Sequence, residues 1–261
     1  RPLRICVPRT ARRLREREGE GRARLGGRLA LWSVHSPSAM PVGPFTEPFV
    51  VNASGGALWI APLADRSYRT QLFIKGANWA GMQADGCPHA LWRHSVEDHI
   101  AFLVANRFNA VRLPLSGVLI NVNDPTSNGG CSGYNGLRPL QILDDVLQRL
   151  EAAGIFALLD MHNMAHPESN QGLWCNFATC DADREEPLRL AWQTLADRYC
   201  GTRANVIGAD IFNEPYSATW GVGNAGSRWD LAATRLGNAI LDRCPKWLIF
   251  VEGVAQSGGA G

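Results

Sequence analysis

Five near-continuous apolar runs, alternating with stretches of helical period and each ending in polar residues, predict an α/β fold of the TIM (β/α)8 barrel type. Strands buried on both faces read as continuous apolar segments, and the amphipathic stretches between them supply helices that cover a parallel sheet. Polar strand ends suit a barrel, because strand ends meet on the face that carries the site. A nucleotide fold is disfavoured, since no dinucleotide glycine fingerprint follows the first run and no phosphate-binding glycine loop ends in Lys-Ser or Lys-Thr. With five runs where the barrel needs eight, the barrel is expected to be incomplete, about five of eight β/α units.

The chain opens differently. Residues 1–28 hold ten arginines against Glu16, Glu18 and Glu20, with no apolar periodicity. Residues 1–45 are therefore expected to form a disordered Arg-rich leader or misassigned upstream sequence, with Met40 a candidate start. A transit peptide is opposed by the lack of serine before Ser33. Residues 46–261 make up the barrel domain, expected to be truncated at its C-terminus.

The elements follow in order. Val50-Val51-Asn52 and Ala57-Leu58-Trp59-Ile60 flank Ser54-Gly55-Gly56, a hairpin signature. Leu72 to Trp79 reads as the first barrel strand. Ser95 caps a helix whose apolar positions are Ile100, Leu103, Val104 and Phe108. The second strand is Ala110 to Pro114, and a Gly/Asn/Ser loop covers 117–138. A helix follows with Leu140, Leu143, Val146, Leu147 and Leu150 inward, ended by Gly154. The third strand is Ile155 to His162, then come a helix from Glu185 to Tyr199 and a fourth strand from Val206 to Asn213. A helix from Arg228 to Arg243 precedes the fifth strand, Trp247 to Glu252.

Composition excludes several classes. With 261 residues, 46% hydrophobic and 19% charged, the chain can bury a core. A net charge of +2 gives no field for nucleic acid or membrane, and no apolar run is long enough to span a bilayer. The seven cysteines contain no Cys-x-x-Cys pair, which opposes a structural zinc site. Cys175 and Cys180 are spaced to bridge a short loop; the odd count leaves one cysteine over, and other pairings stay open.

The strongest chemical signal is Asn213-Glu214-Pro215. A carboxylate at the end of a buried strand, beside an amide and before a proline, is how a barrel mounts a general acid, although an isolated tripeptide of this kind is more often a polar turn. Arg112 is either a strand-end ion pair or a fixed charge that keeps a neighbouring carboxylate ionised. His162 and His166 are four apart near Asp160, but Pro167 makes the stretch a loop and no third ligand is evident, so no metal is expected. Trp79, Trp174 and Trp220 sit on loops of the presumed active face, placed to stack on sugars or simply to pack.

In order, the strand ends carry Lys75-Gly76-Ala77-Asn78-Trp79, Val111-Arg112-Leu113-Pro114, Leu159-Asp160-Met161-His162, Ile211-Phe212-Asn213-Glu214-Pro215 and Leu248-Ile249-Phe250-Val251-Glu252-Gly253-Val254. Over residues 49–261 this series resembles glycoside hydrolase family 5, the cellulase-type retaining β-glycosidases. The resemblance implies Glu214 as acid/base, Asn213 on the sugar 2-hydroxyl, Arg112 orienting the nucleophile, and His162 and Trp79 lining the substrate site. It implies a β-linked polysaccharide or oligosaccharide substrate, no cofactor, a monomer and action outside the cell.

It also implies a nucleophile on strand seven, a histidine and tyrosine on strand six and a tryptophan on strand eight, all beyond these five runs. The chain alone is thus expected to be inactive, and Glu252 is not assigned the nucleophile's part. The alternatives are a non-catalytic carbohydrate-binding remnant and a zinc-dependent barrel hydrolase using Asp160, His162 and His166.

Overall fold

In the computed structural model, Phe45, residues 48–126, 130–164 and 173–254, and the backbone of Ile5–Cys6 are described. After β1 (Ile5–Cys6), a hairpin forms from β2 (Phe49–Ser54) and β3 (Ala57–Pro62), closing with Ser54 opposite Ala57. Gly55 and Gly56 make the turn at φ +61° and +75°, left-handed values that a two-residue hairpin loop requires at both positions. β4 (Thr70–Leu72) pairs antiparallel with β3, giving a small three-stranded sheet.

The main sheet is parallel, as expected for a barrel. β5 (Gly76–Asn78), β6 (Ala110–Ser116), β7 (Phe156–Asn163), β8 (Val206–Asp210) and β9 (Leu248–Phe250) pair in sequence order. Helices α1 (Val96–Ala105), α2 (Gly117–Val122), α3 (Pro139–Ala152), α4 (Ala182–Tyr199) and α5 (Trp229–Arg243) lie between them along the chain. Five parallel strands alternating with helices form part of an α/β barrel.

The capping signals act where the sequence places them. The Ser95 hydroxyl accepts from the Asp98 amide at 3.1 Å while the Asp98 carboxylate accepts from the Ser95 amide at 3.0 Å, a reciprocal capping box. Leu140, Leu143, Val146, Leu147 and Leu150 of α3 are all buried. On α1, Ile100 and Leu103 are buried but Val104 is 38% exposed, so the apolar face is narrower than its sequence suggests.

Four expectations need correction. The run from Leu72 to Trp79 is not one strand; it breaks at residues 73–75. Asn109 holds the break open, its amide donating to the Phe73 carbonyl at 2.7 Å and accepting from the Lys75 N–H at 2.8 Å. The side chain thus satisfies the backbone groups left over where the chain changes sheets.

The loop expected over 117–138 begins with α2, capped by Ser116, whose hydroxyl accepts from the Leu119 amide at 3.4 Å. A Cβ at Gly117 would stand 2.1 Å from the Met164 sulfur, so a side chain there would require the flexible Met164 side chain to move. The fourth strand ends at Asp210 rather than Asn213, and α4 starts at Ala182, three residues before Glu185, because the Asp181 carboxylate caps the Arg184 amide.

The leader read over residues 1–45 also meets the fold at two points. Ile5–Cys6 pairs parallel with Ile249–Phe250, where β9 presents an edge, and the Phe45 ring lies 5.0 Å from Phe49 and 4.9 Å from Phe156. The rest of that stretch lies outside the described residues.

Two apolar cores result. The larger fills the space between sheet and helices. The smaller joins Val51 and Leu72 to Ala110, Phe156, Ile207 and Leu248, which sit at or next to the first residues of β6, β7, β8 and β9. The hairpin therefore covers the N-terminal ends of the strands, leaving the C-terminal ends for a site. No described helix is long and apolar enough to cross a membrane.

Three disulfides join Cys87 to Cys131, Cys175 to Cys180 and Cys200 to Cys244. Cys200 and Cys244 are the C-caps of α4 and α5, so the third bond ties two neighbouring helix ends across 44 residues. Replacing both by serine is expected to cost about 2–4 kcal/mol, read as a lower urea midpoint with an intact far-UV spectrum.

Candidate active site

The site is built around Arg112 on β6. Its side chain spans the strand ends like a bracket. Nε donates to Asp210 Oδ2 at 3.0 Å, and Nη1 reaches Asp160 Oδ2 at 3.0 Å and Asn78 Oδ1 at 3.2 Å. Nη2 donates to Asn213 Oδ1 at 2.9 Å and Glu252 Oε1 at 2.8 Å. One planar guanidinium thus engages side chains from or just after β5, β7, β8 and β9.

Register explains the convergence. Asn78 faces Arg112 across β5–β6, and Asp160 faces Asp210 across β7–β8. Neighbours in register point to the same side of the sheet.

The segment after β8 is held by alternating bonds. The Ile211 amide donates to the Phe250 carbonyl at 3.1 Å and the Asn213 amide to the Met161 carbonyl at 3.0 Å, while the buried Trp192 indole N–H donates to the Ile211 carbonyl at 2.9 Å. Glu214 follows with φ +44°, a left-handed conformation that costs a non-glycine residue about 1–2 kcal/mol. Its N–H donates to Glu252 Oε2 at 2.9 Å, and its side chain is exposed.

His162 donates or accepts through Nδ1 at Asp160 Oδ2, 2.9 Å away. Since that carboxylate also serves Arg112, Nδ1 carries the proton and Nε2 is left for a partner above the site.

Charge is unevenly matched: Asp160, Asp210 and Glu252 surround one arginine. Arg112 is held above its ordinary value, because these carboxylates outweigh the opposing effect of burial. Burial raises Asp160, against the pull of His162 and Arg112. Burial, then the charges of Asp160 and Glu252, push Asp210 up to about 8. Oδ1 of both aspartates has no hydrogen-bond partner among the described residues, and the two are register neighbours.

A pH dependence follows. With the Asp210 value raised from 3.8 to about 8, the folded state holds a proton that the unfolded chain releases between those limits. Stability therefore falls as pH rises through that window. Asp210→Asn is expected to flatten this fall, and urea midpoints from pH 5 to pH 8 for both proteins measure it.

Four of the sequence-derived site residues, Arg112, His162, Asn213 and Glu214, meet at the strand ends. Trp79 stands apart from the arginine cluster: its indole N–H donates to the His89 carbonyl at 3.3 Å and its ring lies 5.0 Å from His99. Trp174 is a core residue rather than a platform, fully buried, 5.4 Å from the Trp229 ring and bonded to Glu185. Trp220 is 45% exposed. His166 lies outside the described residues, and among those described no cluster of three or more metal-ligating side chains exists.

The sequence alone does not mark Asn78, Asp210 and Glu252 as partners of Arg112, and it offers Asp160 only as a metal ligand. The signal was a lone carboxylate inside an apolar run, as in Ile207-Gly208-Ala209-Asp210-Ile211. Such a group is tolerated only when paired or protonated.

Comparison with known proteins agrees with this geometry. The family model for cellulase, glycosyl hydrolase family 5, matches residues 70–260. An endoglucanase of Paenibacillus polymyxa is 36% identical over 200 residues, covering 74% of this chain and 48% of that protein. The major extracellular endoglucanase of Xanthomonas campestris is 35% identical over 189 residues, covering 70% of this chain and 38% of that one. An endocellulase of Pyrococcus horikoshii, solved as a complex with cellotetraose, superposes with a TM-score of 0.70 at 31% identity, over 80% of this chain and 58% of that one.

Fold, strand-end site and relatives together define the class, the barrel glycoside hydrolases. Within it, the chain belongs to glycosyl hydrolase family 5. It spans about half the length of the relatives it matches.

Proposed function

We propose that the protein containing this chain is an endo-acting, retaining hydrolase of β-linked glucan, with Glu214 as its acid and base. The observation that carries this reading is the pairing of Asn213 with Glu214 just past β8, beside Arg112 at the strand ends. In a retaining mechanism one carboxyl group protonates the leaving oxygen and later deprotonates water, while a second, about 5 Å away, attacks the anomeric carbon. In this reading the second carboxylate comes from the part of the protein that corresponds to the remaining half of its relatives.

The bonds already made support roles for the neighbouring side chains. Asn213 Oδ1 accepts from Arg112, which fixes the amide and presents Nδ2 as a donor to a sugar 2-hydroxyl. His162, oriented by Asp160, offers Nε2 to a hydroxyl of the sugar next to the cleaved bond. Trp79, whose backbone N–H donates to the Arg112 carbonyl at 2.9 Å, is the aromatic side chain we assign to a more distant sugar. The relatives named endoglucanase and the cellotetraose complex of a neighbour support a cellulose-type substrate. Three disulfides support an oxidising compartment, and one relative is named extracellular.

The test is hydrolysis of cellotetraose by the full-length protein, with NMR of the first-formed anomer. Release of the β-anomer is expected. Inversion would overturn the retaining mechanism, and binding without hydrolysis would favour a carbohydrate-binding protein. Residues 1–261 alone, lacking the second carboxylate, are expected not to turn over.

A further inference from the structure

We infer that Glu252 is a positioning residue that clamps Glu214 in its reactive orientation by linking it to Arg112. This rests on the reading of Glu214 as the acid and base.

Glu252 ends the fifth barrel run and divides its two oxygens. Oε1 accepts from Arg112 Nη2 at 2.8 Å and Oε2 from the Glu214 N–H at 2.9 Å. Its own backbone is fixed, because its carbonyl accepts from the Trp229 indole N–H at 2.9 Å. Trp229 is fully buried against Trp174 and Phe212, with ring centroids 5.4 and 6.4 Å away. Glu252 is thus anchored from the core and points two acceptors at the site.

The contact falls on a backbone that needs one. Glu214 is in the left-handed region, and Pro215 after it offers no N–H. The Glu214 N–H finds its acceptor in Glu252, while the Glu214 carbonyl accepts from the Tyr216 N–H at 2.6 Å, so Glu252 holds the entry to this turn from the site side. The same carboxylate is held by Arg112, which also holds Asn213. A single chain of contacts therefore fixes the relative positions of the amide for the 2-hydroxyl and the proton donor. With both oxygens bonded to protein donors, Glu252 is placed to position and not to attack.

The test uses the full-length protein, its Glu252→Ala and Glu252→Gln variants, and two aryl β-cellobiosides, one with a dinitrophenyl leaving group and one with a phenyl leaving group. In Glu252→Ala, kcat on the phenyl glycoside is expected to fall roughly 100-fold, the scale of a misplaced catalytic group, with KM within threefold. The dinitrophenyl glycoside needs no proton from Glu214, so it should still give a burst of dinitrophenol before a slow steady state. Gln has one oxygen and can accept only one of the two bonds, so it should fall between Ala and wild type.

A residue that only stabilised the fold would lower both substrates equally, in proportion to the folded fraction; that result, or wild-type kinetics in Glu252→Ala, would overturn the inference. If Glu252→Ala does not fold, the isosteric Glu252→Gln carries the same comparison of the two leaving groups. A wild-type protein that cleaves neither glycoside removes the hydrolase reading and this inference together, whereas wild-type cleavage with an unaffected variant removes this inference alone.

Discussion

Glu214→Gln, introduced into the full-length protein, is expected to lower turnover of unactivated β-glucan by ~10²–10⁴-fold, the usual worth of a positioned general acid and base. Gln keeps the shape and the left-handed backbone held by Glu252, so the loss reports chemistry rather than folding. Cellulose-like substrates depart as poor leaving groups and need the proton that Gln cannot give. An activated aryl glycoside does not, so it should load the enzyme and then stall, because water attacks slowly without a base. A trapped glycosyl-enzyme visible by mass spectrometry, discharged faster when azide is added, is the signature. Unchanged hydrolysis of β-glucan by this variant would remove Glu214 from the mechanism.

Arg112→Ala is expected to be the most damaging single change to stability. It strips Asp160, Asp210 and Glu252 of the guanidinium that bonds all three and leaves carboxylates facing one another. Breaking a buried pair from one side costs about 3–5 kcal/mol. The deficit should shrink toward pH 5, where the carboxylates can take up protons, and grow above neutrality. Arg112→Lys should recover only part of it, since one ammonium has three donors and no planar fork to reach partners from four strands. Denaturant midpoints at pH 5 and pH 8 separate these outcomes; equal losses at both would mean that packing, not charge, is what Arg112 supplies.

The barrel strands were legible because each is buried on both sides and so reads as an uninterrupted apolar run. What the runs conceal is where pairing partners change. Phe73 and Ile74 are as apolar as their neighbours, yet the strand breaks there, because Asn109, 36 residues later, takes over the backbone bonds. α2 has six residues and too few turns to show a period; it starts at the Ser116 cap and packs Gly117 closely against Met164.

In the site, Asn213-Glu214 stands out by its place after a strand, and Arg112 and His162 are marked as site residues by the family resemblance. That Arg112 is shared by Asp210 and Glu252 could not be read, since those partners lie 98 and 140 residues away. Trp174 was ambiguous for a related reason: a tryptophan on a loop looks the same whether it faces a sugar or another tryptophan.

The three disulfides divide unevenly between the two ends of the strands. Cys87, Cys131, Cys175 and Cys180 lie in segments that leave the C-terminal strand ends, whereas Cys200–Cys244 joins helix ends on the other side. The apolar cores need no oxidant and can form within seconds, but thiol oxidation takes seconds to hours. Biosynthesis therefore has a built-in order, with the scaffold first and the rim of the cleft fastened later. A host that folds this chain in a reducing cytosol is expected to deliver a native-like far-UV spectrum without the three cross-links.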